Sequence, residues 1–600
     1  MGEPTAEVTT TEGPDDRPFS HGDGPSAAET AETEAGRTAE HVPGHADARP
    51  LGGHGSEAPH RSHQGVQDQV DGSRGGHDAE ASRVAGRPPR DLPGGTDGPS
   101  ASGATETMRR PPAAAGRVRE RADERGRRRR SWVRRVADHP ATPLGLVAVL
   151  FGVLQFAVGA HRMPWGWDEL VYLSQVSPAL PDASFSEPRA RGITWLVAPA
   201  AWFTADPVPV RVWMIVLAAA GLFFGYLPWL RVIRARRAKL IVAGAALLLT
   251  GLWVVRFYGG EVMPNLYVAY GAVAATGFFL LATRVPRPKG AYAGLAACLA
   301  AVAELRPGDA LWLGLALGVA WAAVREWRRA AVAVAVVTGC VAGAAPWVIE
   351  AYARYGGLLA RIRGASEVQG HLRPTWGVWY ELKALNGPLL CRPCNVELKH
   401  VELTVWWLAI PFVVAGALWM ARRMVDFRAH ALAVAAGGAL AAQYLFLVGY
   451  AAPRFLIPAY ALLALPVAYL LVRTAGRGRA ARALVVGALA VFLAIQHAIL
   501  TVRLGGIGAD RAGALKTARV INALGVHTPC RVGGPGASLP LAYAAGCRYA
   551  TWHPRVPLRG DRVAYLTRGR AKPAAAYANW RPHRVSIAKI RDWIIWLPPR

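Results

Sequence analysis

From residue 144 to residue 503 the chain alternates long apolar runs with short arginine-rich loops. The runs are Pro143 to Ala160, Val210 to Leu230, Leu240 to Val255, Leu266 to Thr283, Ala330 to Ile349, Val401 to Met420, Ala429 to Tyr450, one from Pro453 to just before Arg473, and Ala483 to Val502. Crossing a hydrocarbon core takes about 20 such residues. Ala291 to Ala303 and Leu311 to Val324 are shorter arms around Glu304-Leu-Arg-Pro-Gly-Asp309. Pro307 and Gly308 break the helix there, which a bilayer tolerates only where neighbours or a wet cavity satisfy the freed backbone groups. Counting both arms, the pattern predicts an all-α polytopic membrane protein of about eleven transmembrane helices.

The loops set the expected orientation. Arg231 to Lys239, Arg284 to Lys289, Arg325 to Arg329, Arg422 to Arg428 and Arg477 to Arg482 all fall on one side of the alternation. Cytoplasmic loops carry such an excess of Lys and Arg, so the N-terminus is expected inside and the C-terminus outside. The outer side then receives His161 to Pro209, a short turn from Arg256 to Asn265, and a long cap from Glu350 to His400. Ile193 to Phe203, apolar but short, reads as an interfacial helix.

Two flanks break the pattern. Residues 1–138 are rich in Gly, Pro, charged residues and His with almost no aliphatic runs, and read as a disordered cytoplasmic tail. Its basic end, Arg117 to Arg135, precedes the first helix and suits anionic lipid headgroups. Residues 504–600 read as a small extracytoplasmic α/β domain following a transmembrane domain at 139–503. Asp510 is expected to cap a helix to Leu524, and β-like runs lie at Arg531 to Gly533, Val563 to Thr567 and Trp593 to Leu597. Gly533-Gly-Pro-Gly536 reads as a turn rather than a phosphate loop.

Net charge of +28 would ordinarily raise nucleic acid as a partner. The placement of the cations in short inter-helix loops points instead to membrane lipids, with no nucleic acid. Of six cysteines, Cys298 and Cys340 lie inside apolar runs. Cys391 with Cys394, and Cys530 with Cys547, lie on the expected outer side and are disulfide candidates. A zinc site needs about four ligands, which makes metal the weaker reading of the C-x-x-C.

The candidate chemistry begins at Trp165-Gly-Trp-Asp-Glu-Leu-Val-Tyr172, just after the first apolar run. Asp168 and Glu169 sit among aromatics at a bilayer edge, where carboxylates are costly unless something uses them. Glu261 in the second outer turn, Glu304 with Arg306 at the helix break, and Arg454 at an outer helix start fall on the same side. Glu304 and Arg306 read either as a local pair that satisfies the broken helix or as part of a site. Acids and arginines gathered at one face beside a helix break suggest a cavity for an anionic, lipid-linked substrate.

These motifs resemble the GT-C superfamily of polytopic glycosyltransferases that use polyprenyl-phosphate sugars, in its aminoarabinose-transferase and protein-mannosyltransferase-like branch and an actinobacterial type. Trp167-Asp-Glu-Leu-Val-Tyr172 matches that branch's Asp-Glu-x-x-Tyr form. Ser186-Glu-Pro-Arg-Ala-Arg-Gly-Ile-Thr-Trp195 sits at its second loop motif but lacks the Lys-Pro-Pro form. Glu261-Val-Met-Pro-Asn265 is similar to its second acidic site, and Pro453-Arg-Phe-Leu-Ile-Pro458 to its late Arg-aromatic helix start. The resemblance implies a polyprenyl-phosphate sugar donor, a lipid, glycan or protein acceptor, and inversion. Asp168 would be the general base, its pKa raised by burial near lipid, with Glu169 and Glu261 orienting the acceptor or helping to raise that pKa by like charge. Tyr172 would line the site, and Arg306, Arg454 and Arg191 would hold the leaving phosphate, a group the planar guanidinium fork suits. It leaves a divalent metal (Mg or Mn) open as cofactor. A transporter or flippase for a lipid-linked or anionic substrate is the alternative; it calls for charges near the midplane and an internal repeat.

Overall fold

The computed structural model describes residues 138–599 except 182, 285–289, 399, 535–537, 551–557, 559, 561 and 587–591. The tail expectation, the basic stretch to Arg135, the loop after Arg284 and the last two residues of the glycine tetrad lie outside the described residues.

The helices follow the apolar runs. They are α1 Thr142–Ala157, α2 Trp167–Leu173, α3 Gly192–Ala201, α4 Pro207–Tyr226, α5 Ala238–Gly251, α6 Asn265–Arg284, α7 Ala291–Leu305 and α8 Pro307–Ala323. Then come α9 Ala330–Arg354, α10 Leu358–Val368, α11 Val378–Ala384, α12 Val405–Ala421, α13 Phe427–Phe446, α14 Ile457–Ala475, α15 Arg479–Ala523 and α16 Leu539–Ala544. Helices α1, α4 to α9 and α12 to α15 occupy the expected runs. Among the described residues, 7 helical segments are long and apolar enough to cross a membrane by length and composition.

The bundle is built around α6 and α14. Most of α6 is buried on all sides, from Leu266 through Phe279, and α14 is buried from Ile457 to Tyr469. Outer helices show the reverse: Leu146, Val149, Val216, Phe224, Val337, Val341, Leu484 and Val491 are exposed. An apolar outside is expected where lipid rather than water is the solvent, since lipid tails are as apolar as these side chains. Helix α5 stops at Leu252, whose extended backbone interrupts it before a short turn from Trp253 to Tyr258. The Trp253 N–H freed by that break donates to Gln496 Oε1 of α15, 2.9 Å away.

The junction of α7 and α8 is a single extended residue, Arg306. Its side chain pairs with Asp309 (Nε to Oδ2 3.0 Å), while Glu304 accepts from Trp195 Nε1 at 3.2 Å. The local Glu304–Arg306 pair is therefore not formed. Pro307 opens α8 and puts Asp309 in its first turn, buried, where Gln443 and Tyr444 of α13 donate to it.

The C-terminal segment holds a five-stranded sheet in the order β2-β1-β3-β5-β4. Its strands are β1 Arg531–Gly533, β2 Arg548–Ala550, β3 Val563–Arg568, β4 Arg581–Val585 and β5 Trp593–Leu597. β1 runs parallel to β2 and β3, and β5 pairs antiparallel with β3 and β4. Ala514, Ala518 and Ile521 of α15 share the core under this sheet with Val532, Leu541 and Ile595. The boundary expected at residue 503 falls inside α15, so the last apolar run and the helix that packs under the sheet are one rod. Asp510 is accordingly no cap; it pairs with Arg568. Both candidate cysteine pairs are bonded, Cys391 to Cys394 and Cys530 to Cys547.

Candidate active site

Asp168 and Glu169 are consecutive in α2, and consecutive side chains on a helix diverge by about 100°. That divergence sends them to different destinations. Glu169 turns inward and is buried, while Asp168 keeps about a third of its side chain open, 29%.

Glu169 anchors a closed network. Its Oε2 accepts from the Gly166 N–H at 2.8 Å, bracing the first turn of α2 as the acidic half of a capping box does. The same oxygen lies 2.8 Å from Arg211 Nη2, and Oε1 accepts from the Val262 N–H at 3.0 Å. Arg511 joins Glu261 (2.8 Å) to Glu169 (3.3 Å), and Arg211 also reaches Glu261 at 3.3 Å. The remaining Arg211 donors go to the carbonyls of Met163, Pro164 and Gly260. Burial pushes Glu261 upward, but Arg511 and Arg211 outweigh it and hold its carboxyl below the ordinary carboxylate range. Two carboxylates and two guanidiniums thus tie the loop after α1, α4, the turn before α6 and α15 together. Every oxygen of the Glu169–Glu261 pair faces a donor.

Asp168 sits in a fork of arginines. Arg189 Nη2 is 2.7 Å from Oδ1 and Arg454 Nη2 is 3.1 Å from Oδ2. Burial alone would raise its pKa, but Arg189 and Arg454, with Arg306 further off, hold it below the ordinary carboxylate value. The shift is thus opposite to the expected one. Arg189 is stacked between Trp167 (5.1 Å) and Tyr172 (5.0 Å), which gives Tyr172 its place in the site. Arg454 donates to the Tyr258 hydroxyl at 3.2 Å and the Leu389 carbonyl at 3.1 Å, and its buried Nε has no partner among the described residues. The disulfide loop sets that carbonyl: the Cys391 N–H donates to the carbonyl of Ala451, shortly before Arg454 in the chain, at 2.8 Å.

Arg306 lies beside the rings of Tyr444 (5.7 Å) and Phe455 (5.5 Å), and apart from its ion pair with Asp309 it makes no hydrogen bond among the described residues. Three guanidiniums, those of Arg189, Arg306 and Arg454, therefore meet the two carboxylates of Asp168 and Asp309. Arg191 is elsewhere. Glu350 takes its Nε and Nη2 at 3.0 and 2.6 Å, and Gln175 takes Nη1 at 3.0 Å.

A divalent ion does not fit these acids. Both Asp168 oxygens are taken by guanidiniums, and the Glu169 and Glu261 oxygens by guanidinium and backbone donors. Among the described residues no group of three or more His, Cys, Asp or Glu is placed to hold a metal.

No family model matches the sequence, and no curated protein matches it. Among solved structures the arrangement is similar to that of ArnT. ArnT from Cupriavidus metallidurans bound to undecaprenyl phosphate superposes with a TM-score of 0.54 at 12% identity, covering 75% of this chain and 97% of ArnT. Its apo state gives 0.50 at 14% identity, covering 74% and 97%. At such identities the likeness to ArnT is one of fold.

Three residues of the site differ in how far the sequence signals them. Arg189 lies inside the loop motif Ser186 to Trp195, with nothing to distinguish it from its neighbouring arginine. Arg211 carries a signal, a charge within an apolar run, which is costly unless paired. Arg511 carries none, since its segment reads as part of a soluble domain.

Proposed function

We propose that the chain is a GT-C-type membrane glycosyltransferase that moves a sugar from a polyprenyl-phosphate donor to an acceptor hydroxyl on the outer face of the plasma membrane. The observation that carries this reading is the Asp168 carboxylate clasped by Arg189 and Arg454 beside the under-committed Arg306. The ArnT-like fold, and the undecaprenyl phosphate bound to that protein, support it.

The donor phosphate meets Arg306 and the unpartnered Nε of Arg454, where bidentate guanidinium contacts suit its oxygens. As it takes up donors of Arg454 and Arg189, their hold on Asp168 weakens and the carboxylate becomes more basic. The acceptor oxygen attacks the anomeric carbon from the side opposite the phosphate. Its proton passes to Asp168, the carbon–oxygen bond to phosphate breaks, and the electron pair stays on the phosphate among the guanidiniums. Configuration inverts. Glu169, Glu261, Arg211 and Arg511 keep α2 in place and take no part in the proton transfer.

The test compares envelope glycans and extractable glycolipids from cells with and without the gene. One glycan should lose a sugar residue, restored by the wild-type gene and not by Asp168→Asn expressed at the same level. Restoration by that variant overturns the reading.

A further inference from the structure

The segment from Phe185 to Arg191 forms neither helix nor strand, yet it carries Arg189, which holds Asp168. A loop has no ladder to fix its backbone, so its carbonyls turn to donors from elsewhere. Here they come from one place. The Tyr355 hydroxyl donates to the Phe185 carbonyl, and Trp347 Nε1 donates to that of Glu187 at 3.2 Å. Arg361 Nε and Nη2 donate to the carbonyls of Glu187 and Arg189 at 3.0 and 2.9 Å. Glu350 takes the Arg191 side chain. Every second residue of the loop, from 185 to 191, is thus gripped by the elbow between α9 and α10.

Arg361 is the centre of that grip. Its side chain is fully buried, and its guanidinium lies beside the rings of Trp347 (4.4 Å) and Tyr355 (4.3 Å). It also donates to the Trp347 carbonyl at 2.6 Å and to Glu350 Oε2 at 3.0 Å. Consecutive positive φ values, +75° at Gly356 and +112° at Gly357, turn the chain so that α10 folds back on the end of α9. Gly364 then lets α10 come close to the loop, since a Cβ there would meet Glu187 Cγ at 2.9 Å.

An arginine that only braced α10 on α9 would need no more than the Trp347 carbonyl and Glu350. The other two bonds of Arg361 leave that unit and reach back 174 and 172 residues, to Glu187 and to Arg189 itself. A buried guanidinium stranded without acceptors is costly, so loop and elbow hold together. Arg189 is therefore fixed at its carbonyl by Arg361, while its own guanidinium sits between Trp167 and Tyr172 and meets Asp168 at 2.7 Å. The charged groups that act on Asp168 are Arg189, Arg454 and, further off, Arg306. The bonds of Arg361 stop at the Arg189 backbone, so its effect on Asp168 runs through the placement of Arg189.

We propose that Arg361 is a positioning residue for the Asp168 site: through the Glu187 and Arg189 carbonyls it sets where the Arg189 guanidinium stands against Asp168. Tyr355 assists through the Phe185 carbonyl. Calling this positioning for sugar transfer rests on the glycosyltransferase reading; control of the Arg189–Asp168 pair does not.

Scanning fluorimetry of the full-length protein in detergent tests that control. Asp168→Asn is made in three backgrounds: wild type, Arg361→Lys and Tyr355→Phe. Lysine keeps the charge beside Glu350 but replaces the fork that spans two carbonyls with a single ammonium. Tyr355→Phe keeps the ring and removes one hydroxyl, so the test stands even where Arg361→Lys fails to fold. Above the carboxylate range, Asp168→Asn should lower the wild-type midpoint by more than it lowers that of either variant. The pH-dependent part of the step should also be smaller in both variants, because a looser Arg189 holds the Asp168 carboxyl less far down. A purely structural Arg361 would lower every midpoint and leave the step caused by Asp168→Asn unchanged. Equal or larger steps in both variants overturn the proposal.

A second readout is the acid limb of the kcat/KM profile for sugar transfer. In Arg361→Lys it should move to higher pH, as it should in Arg189→Gln, and the two changes together should move it no further. The rate should fall by up to about 10²-fold, the effect of a misplacement of about 1 Å. Arg361→Lys with an unmoved acid limb overturns the proposal. A wild type that transfers no sugar sinks the glycosyltransferase reading, and the fluorimetry still decides this one.

Discussion

Arg454, at the start of the helix that becomes α14, reaches Asp168 in the first outer loop across 286 residues of sequence, Nη2 to Oδ2 3.1 Å. The same guanidinium donates to the Tyr258 hydroxyl and the Leu389 carbonyl, so three loops converge on one side chain. Arg454→Gln keeps most of the volume and removes the charge. Transfer should fall by about 10²- to 10³-fold, the usual effect of removing one donor to a developing anion. Arg454→Lys should restore only part, because an ammonium cannot make two parallel bonds. Initial rates with a polyprenyl-phosphate sugar, normalised to protein, measure both; a variant as fast as the wild type removes Arg454 from the site.

Asp168→Asn should abolish transfer while the protein still inserts and elutes as a single species. General-base assistance accounts for about 10²- to 10⁴-fold in rate. The substitution keeps shape, and Glu169 and the four-group network behind it are untouched, so a loss of folding would not be the cause of an activity loss.

The pH dependence follows from Arg189 and Arg454 holding the Asp168 pKa down. A carboxyl depressed in the folded state contributes stability that is fully present above its unfolded value, about 3.9, and is lost as pH falls through the lower folded value. The difference in thermal midpoint between wild type and Asp168→Asn should therefore be flat from about pH 8 to about pH 5 and shrink only below the ordinary carboxylate range. Scanning fluorimetry in detergent reads this. A difference that shrinks near neutral pH would mean a raised pKa and a different electrostatic environment.

The apolar runs could be read from sequence because a bilayer demands length and hydrophobicity from each crossing, a constraint that is local. Asp168 and Arg454 were also accessible, the one following an apolar run and the other at the start of one. The partners were not. Arg189, Arg211 and Arg511 come from three different segments, and nothing local says which carboxylate each will meet. The i, i+1 divergence of Asp168 and Glu169 is elementary geometry, yet its consequence depended on knowing that α2 is a helix with one buried face. The continuity of α15 across residue 503 was not legible for a different reason. Gly505, Gly506 and Gly508 each cost about 1 kcal/mol in a helix interior. The packing of Ala514, Ala518 and Ile521 under the sheet holds α15 helical through them.

Arg211 is 1% exposed and faces Glu169 and Glu261 together. Arg211→Leu would leave two buried carboxylates with one guanidinium, and breaking a buried pair in this way costs about 3–5 kcal/mol. The variant should lose thermal stability and transfer together. A double variant, Arg211→Leu with Glu261→Gln, should recover part of the stability by removing the surplus charge. If the single variant unfolds at the wild-type temperature, the network is not what holds the first outer loop.

Cys530 and Cys547 are 17 residues apart and fix the end of β1's approach to the start of β2. Closing a loop of about 15 residues removes roughly 3 kcal/mol of unfolded-chain entropy in the simplest model. Replacing both by serine should therefore make residues after α15 sensitive to limited proteolysis at temperatures where the wild type resists, while the helical bundle survives. The Cys391–Cys394 pair should behave differently. It closes a separation of only 3 residues, so its contribution lies in shaping the strand-like contact with Ala451 that presents Leu389 to Arg454. Its double serine variant should keep the wild-type proteolytic pattern and lose transfer by slackening Arg454. Equal proteolytic sensitivity in the two variants would argue that both bridges serve stability alone.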